Sequence, residues 1–313
     1  MNKKTLTVAV IVVVAILAIF GFTKFNTQGK SAEGETVTVT HRSGETEVSK
    51  NPEKVVVFDY GILDALDALE VEVIGVVKAS LPNYLNKYDA DNYEALGSLK
   101  EPDMEKIYEM QPDLIIISGR QSSYYEELSK IAPTINLDIV SEDYMGSFIG
   151  NMNVLGQIFD KEKEVENKLA EVEKSVKKLN EEATKKNVNG LITLANDGEF
   201  SVYGEGSRFG IIHQEFGIKP VDTTIEDSTH GVKSTFEYVV EKNPDYLFVV
   251  DRSAVTGGSK SAKELFENEL VKKTDAYKNG NIVYLDSEVW YTAVGGFTST
   301  EKMLDEVSKA VLK

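Results

Sequence analysis

One stretch of this 313-residue chain occurs twice. Residues 105–120 read EKIYEMQPDLIIISGR, and residues 237–252 read EYVVEKNPDYLFVVDR. The offset is 132 throughout: Glu105 matches Glu237, Glu109 matches Glu241, Pro112 matches Pro244, Asp113 matches Asp245 and Arg120 matches Arg252. In each copy an acidic helical turn reaches Pro-Asp, an apolar run follows, and an arginine ends it. Proline and the residue before it both resist helix continuation. The runs LIII and YLFVV are short and β-rich, which predicts buried parallel strands. Each copy is therefore helix, tight turn, strand, with an arginine at the strand's C-terminal end. Open α/β sheets bind ligands at that end. Two such units predict an α/β chain of two similar lobes, each offering one arginine to a shared cleft.

The rest of the chain continues the alternation. Val55-Val56-Val57-Phe58 reads as a buried strand, Asp59-Tyr60-Gly61 as a turn into the helix ILDALDAL, and VEVIGVV as the next strand. That is a β-α-β unit, which builds parallel sheets. An edge hairpin precedes it over TVTVTHRSGETEVSKNPEK, with His41 and Arg42 as solvated strand residues. A long loop from Lys78 to Pro102 carries Tyr84, Tyr88 and Tyr93. Helices are predicted over 121–132 and 147–159, with a strand over 135–139 between them. From 161 to 186 the apolar positions Val165, Leu169, Val172, Val176 and Leu179 are spaced 4, 3, 4, 3, the pattern of one long amphipathic helix. A rigid strut between lobes accounts for it more simply than a five-position coiled-coil seam. The second half brings the strand GLITLA, the glycine-rich VYGEGSRFG before a helix, the short strand GIKPV and the polar loop DTTIEDSTHG. After Arg252 come a flexible loop over 254–260, a helix over 261–277, a strand over 281–285 and a last helix over 299–312. The expected boundaries are 31–159 for the first lobe, 160–187 for the connecting helix and 188–313 for the second lobe.

Residues 1–30 read as an address. Lys3 and Lys4 precede an apolar run from Leu6 to Phe22 broken only by Thr7 and Gly21. A positive flank before an apolar core fits export. No small-x-small cleavage site follows promptly, so an uncleaved membrane anchor is the first expectation and a cleaved signal peptide, leaving a secreted or periplasmic protein, the second. The chain has no cysteine, which excludes disulfides, thiolate metal sites and lipid attachment through an N-terminal Cys.

Net charge is −17; removing Lys3, Lys4, Lys24 and Lys30, the only charges in residues 1–30, leaves −21 for the remainder. Nucleic acid is excluded as a partner, because phosphate neutralisation needs a basic face. Of 34 basic residues only four are arginine: Arg42, Arg120, Arg208 and Arg252. Lysine serves for surface charge, whereas arginine is favoured where a planar fork must hold an anion. Around the strand ends gather Tyr60 and Arg120 from the first half, and Arg208, His230, Arg252, Trp290 and Tyr291 from the second. Arginines pair with anionic oxygens and stack on aromatic faces. His and Tyr can ligate iron. The set suits a large, planar, anionic, aromatic ligand, with Arg120, Arg208, Arg252, Tyr60 and Trp290 touching it. His213, inside a helix, reads as packing. No nucleophile elbow and no phosphate-cradling glycine loop is present, so an enzyme is not expected.

Over residues 36–313 the chain resembles the class III substrate-binding proteins of ABC importers: two Rossmann-like lobes joined by a long rigid helix, closing only slightly on ligand. Within that class it is similar to the binders of iron(III) complexes of catecholate siderophores, particularly the petrobactin-type group. The resemblance implies that Arg120, Arg208 and Arg252 ring the siderophore. It implies that His230 and Tyr291 occupy iron positions left open by a tetradentate ligand. It also implies that Glu105 and Glu237, one per lobe, dock on the permease. It further implies a monomer with no intrinsic cofactor, partnered by the permease and its ATPase. Gram-positive relatives carry a lipobox cysteine that is missing here, which leaves the anchoring to residues 1–30. The alternative on the same fold is haem or another tetrapyrrole.

Overall fold

A computed structural model describes residues 35–313, so the expected anchor or signal segment at 1–30 lies outside the described residues. Among the described residues no helix is long and apolar enough to cross a membrane.

Strands β1 (Thr36–His41) and β2 (Gly44–Ser49) form a separate antiparallel hairpin. The first lobe is built on a wholly parallel five-stranded sheet in the order β5-β4-β3-β6-β7. Its strands are β3 (Val55–Val57), β4 (Gly75–Val76), β5 (Glu94–Ala95), β6 (Leu114–Ile117) and β7 (Thr134–Asn136). Every residue of β3, β6 and β7 is buried, as expected of a parallel sheet covered on both faces. Helices α1 (Tyr60–Ala68), α2 (Met104–Met110) and α3 (Tyr125–Leu128) belong to this lobe. Then α4 (Tyr144–Ile158) and α5 (Glu162–Lys186) lead out of it.

The second lobe holds β8 (Asn189–Asn196), β9 (Glu199–Tyr203), β10 (Lys219–Pro220), β11 (Val232–Lys233), β12 (Tyr246–Asp251) and β13 (Ile282–Leu285). The order is β11-β9-β8-β12-β13, with β10 beside the start of β8. β8, β12 and β13 are parallel, while β9 folds back on β8 as a hairpin. The two turn residues, Asp197 and Gly198, both have positive φ (47° and 95°), which a two-residue hairpin turn on twisted strands requires. The helices here are α6 (Ile211–Gln214), α7 (Phe236–Lys242), α8 (Arg252–Thr256), α9 (Ala262–Phe266), α10 (Asp275–Lys278) and α11 (Phe297–Val311).

The repeated stretch keeps its register in three dimensions. Helices α2 and α7 are seven residues each and start 132 positions apart. Their C-caps, Gln111 and Asn243, are both left-handed, with φ of 48° and 43° and the same ψ of 62°. The aspartate after each proline then ties the next strand to its neighbour. Asp113 accepts from the Lys54 amide (2.9 Å) at the head of β3, and Asp245 from the Asn189 amide (2.9 Å) at the head of β8.

The 25-residue α5 spans roughly 37 Å at helical rise. Its buried stripe, Val165, Leu169, Val172, Val176, Leu179 and Ala183, packs against α4 and α11. The seam is therefore used inside the molecule, as the strut expectation requires. Helix α11 returns from the second lobe and packs on α1 and α5. Its N-cap is Gly296, which has no side chain to offer. Asp64 of α1 supplies the missing carboxylate, accepting from the Thr298 and Ser299 amides at 3.0 and 2.7 Å. A Cβ on Gly296 would collide with that carboxylate, and one on Gly61 would collide with the Val294 carbonyl, so two glycines permit the close approach of α1 to the start of α11.

Several helix expectations change. The predicted helix over 121–132 is a 3-10 turn over Gly119–Tyr124 followed by the short α3. Gln121 is buried and its amide donates to the Leu99 carbonyl, which holds the turn tight. The predicted helix over 261–277 breaks into α9, a 3-10 turn and α10. Thr274 both closes the 3-10 turn on Val271 O and caps α10 through the Tyr277 amide. The expected loop over 254–260 begins inside α8, which Gly257 ends at a φ of 80°.

Candidate functional site

Both sheets aim the C-terminal ends of their central strands at one cleft. Arg120 follows β6 and Arg252 follows β12, while Arg208 comes from the loop after β9. All three converge on Tyr291, in a π-helical turn over Glu288–Thr292. The Tyr291 carbonyl accepts from Arg120 Nη2 at 2.7 Å and from Arg208 Nη2 at 2.9 Å. Its hydroxyl accepts from Arg252 Nε at 2.8 Å. The last carbonyls of a helical turn have no partner within it and carry partial negative charge, which suits guanidinium donors. Arg208 also lies over the Tyr291 ring, 4.6 Å from its centre, and over Phe209 at 5.0 Å. Arg252 Nη1 donates to Asn196 Oδ1 at 2.9 Å.

Among the described residues none of these three arginines forms an ion pair with a carboxylate. Burial, and then the nearby charge of Arg120, hold the Arg208 guanidinium below its ordinary pKa. Three half-buried cations share one neutral residue. Such an arrangement suits an anion.

Arg120 and Arg208 line a cavity of about 640 Å³. Its first-lobe wall includes Asp59, Ser118 and Asp138; Thr229, Val294 and Gly295 come from the second half of the chain. Asp59 caps α1, accepting from the Ile62 amide at 3.0 Å and from the Ser118 hydroxyl at 2.7 Å. Burial pushes its carboxyl pKa up, against the opposing pull of Arg120. Tyr203 lies under the second-lobe arginines with its hydroxyl buried and unpartnered. Burial pushes that phenol up to about 12, with Arg208 opposing.

The remaining expected residues are placed less uniformly. His230 is exposed in the loop next to Thr229, outside the cavity lining, and Tyr291 is part of the arginine cluster but also outside the lining. Glu105 and Glu237 are exposed in the first turns of α2 and α7. Two expectations need correcting. Trp290 is fully buried, its indole N–H donating to Glu306 Oε2 at 2.7 Å, so it has no surface to offer a ligand. Tyr60 is 1% exposed and its hydroxyl donates to the Ala79 carbonyl at 2.5 Å, so it belongs to the packing beneath the cleft. Both lie just after strand ends, in helical turns that bury their rings. His213 is buried with Nδ1 at 2.8 Å from the Ile218 carbonyl, in line with a packing role.

Sequence reading missed Arg42, Asp59 and Asp138 in the cavity wall. Asp59 had a signal, being the turn residue between a buried strand and a helix. Arg42 had only the rarity of arginine in the chain: the hairpin tip reaches the cleft through tertiary contacts. His41 is half-buried rather than solvated, with Nε2 at 2.9 Å from Thr46 Oγ1.

Comparison with known proteins places this geometry. The family model for periplasmic binding proteins matches residues 55–289. The petrobactin-binding protein YclQ of Bacillus subtilis is 44% identical over the whole of both chains. Its crystal structure superposes with a TM-score of 0.87 at 48% identity, covering 89% of this chain and 99% of that one. The ferric-anguibactin-binding protein FatB of Vibrio anguillarum is 32% identical over 99% of each chain. The catecholate-siderophore binding protein VctP of Vibrio cholerae superposes with a TM-score of 0.84 at 40% identity, covering 88% of this chain and 100% of that one. The two-lobed α/β architecture is thus the class III fold, and the chain belongs to the periplasmic binding protein family.

Proposed function

We propose that the protein captures a ferric catecholate siderophore outside the cytoplasm and hands it to an ABC permease and its ATPase for iron uptake. The observation that carries this is the trio Arg120, Arg208 and Arg252: three guanidinium groups without a carboxylate, gathered on Tyr291, two of them lining a cavity of about 640 Å³. A ferric catecholate is an anion with aromatic faces, and guanidinium groups suit both features. The names of YclQ, FatB and VctP support the class of ligand. The iron is cargo, arriving wrapped in its own chelator. Binding and release, with no turnover and no resident cofactor, is the whole of the activity.

Within this reading His230 and Tyr291 complete the iron coordination of a tetradentate siderophore, Tyr291 through the oxygen that already accepts from Arg252. Glu105 and Glu237 mark the permease contact, one carboxylate on each lobe. The protein works as a monomer, tethered by residues 1–30. Nothing specific favours haem: the names of the three relatives point to siderophores.

Titration with a ferric catecholate should quench Trp290, which lies one residue from Tyr291 and can transfer its excitation to the iron complex without touching it. Unchanged affinity after replacing Arg120, Arg208 and Arg252 together by alanine would defeat the reading. For the iron positions, H230A/Y291F should weaken a tetradentate complex more than a hexadentate one. Equal loss for both refutes direct ligation.

A further inference from the structure

The cavity has an arginine that the trio does not include. Arg42 sits at the tip of the β1–β2 hairpin, yet lines the same space as Arg120 and Arg208. Its backbone is fixed there. Thr46 Oγ1 donates to the Thr134 carbonyl at 2.9 Å, and Asn136 Nδ2 donates to Ser43 Oγ at 3.0 Å. The Arg42 amide adds a longer bond to the Asn136 carbonyl at 3.4 Å. These contacts weld the hairpin tip to the end of β7, at the same edge of the sheet from which Arg120 projects.

The side chain, in contrast, makes a single hydrogen bond among the described residues. Its guanidinium pairs with Asp138, another residue of the cavity wall, and is 60% exposed. An exposed ion pair is held weakly, so exchanging its carboxylate for another is easy. Arg120 and Arg208 are spread over the Tyr291 carbonyl, whereas Arg42 is neutralised by a carboxylate of the protein itself. A guanidinium parked on a carboxylate is already oriented for a second carboxylate.

We infer that Arg42 is a fourth anion-binding residue of the cleft, one that exchanges Asp138 for a carboxylate borne by the ligand outside its iron-chelating groups, and so selects acidic ferric complexes over neutral-armed ones. This rests on the siderophore reading above. The test uses the iron(III) complexes of two synthetic bis-catecholate chelators. Their linkers are identical except that one carries a carboxylate on an arm too short to reach its own iron, and the other the corresponding primary amide. Calorimetric titration should give wild-type protein a preference of tenfold or more for the acid. R42Q should abolish that preference by weakening the acid complex at least fivefold more than the amide complex, and R42K should fall between. D138N, which frees Arg42, should tighten the acid complex two- to fivefold. Equal loss for both complexes in R42Q, absence of preference in wild type, or a weaker acid complex in D138N would each overturn the inference. Failure of wild type to bind either complex would remove the siderophore reading and this inference with it; binding of both without preference removes only the role of Arg42.

Discussion

Arg120 and Arg208, one from each lobe, meet on a single acceptor, the Tyr291 carbonyl, at 2.7 and 2.9 Å. Two like charges on one neutral atom repel each other, and an incoming anion would offset that repulsion. The first prediction follows. Arg208→Gln should change the stability of the empty protein by less than about 1 kcal/mol, because relief from repulsion and burial offsets the lost stacking. The same change should weaken a ferric catecholate at least tenfold, about 1.4 kcal/mol. Urea unfolding and a ligand titration of the same variant check both halves.

Asp64 serves as a borrowed cap for α11. Asp64→Ala leaves the Thr298 and Ser299 amides without their acceptor, and removes the partner of the Tyr84 hydroxyl. A loss of about 3 kcal/mol is expected. Urea denaturation should show an earlier midpoint; a shift worth less than about 1 kcal/mol would mean that α11 is held without this carboxylate.

Trp290 belongs to the core. Trp290→Phe should cost about 2–4 kcal/mol, from the cavity left behind and from Glu306 losing its indole donor. Ligand affinity by calorimetry should stay within twofold. A tenfold loss would restore Trp290 to the binding surface.

His213 sets a pH dependence. Burial lowers its pKa from 6.5 to about 4, against the pull of the Ile218 carbonyl. The unfolded chain therefore binds a proton between those two values that the folded chain refuses. The stability this histidine contributes is complete above pH 6.5 and is lost as pH falls towards 4, by at most about 3 kcal/mol. Asp59 and Asp64, with carboxyls raised by burial, tilt the curve the other way, so the measurement is the difference between wild type and His213→Gln. Urea midpoints at pH 7.5, 6 and 5 should converge as pH falls, and parallel curves would contradict the assignment.

The repeated stretch was legible because its chemistry is local. Proline stops a helix wherever it stands, and the aspartate after it finds the neighbouring strand head in both lobes. The α5 stripe was legible for the same reason, since spacing alone decides which side chains share a face. The inward turn of Tyr60 and Trp290 was not, because an aromatic residue after a strand can cover the sheet or face the cleft, and only the packed partner decides. Arg42 was hidden more deeply. It meets Asp138 across 96 residues of sequence, through a hairpin whose docking depends on single side-chain hydrogen bonds. Short helices such as α9 and α10 were blurred because their ends are set by individual caps rather than by periodicity.

The return of α11 onto α1 and α5 has a consequence for biogenesis. A chain that emerges with its N-terminus first displays the first lobe long before residues 297–311 exist outside the ribosome or the translocation pore. Until then α1 lacks the helix that covers it, and Asp64 faces no amide. The first lobe can form its sheet early, but it closes only when α11 arrives, so a segment synthesised late completes the first domain to appear.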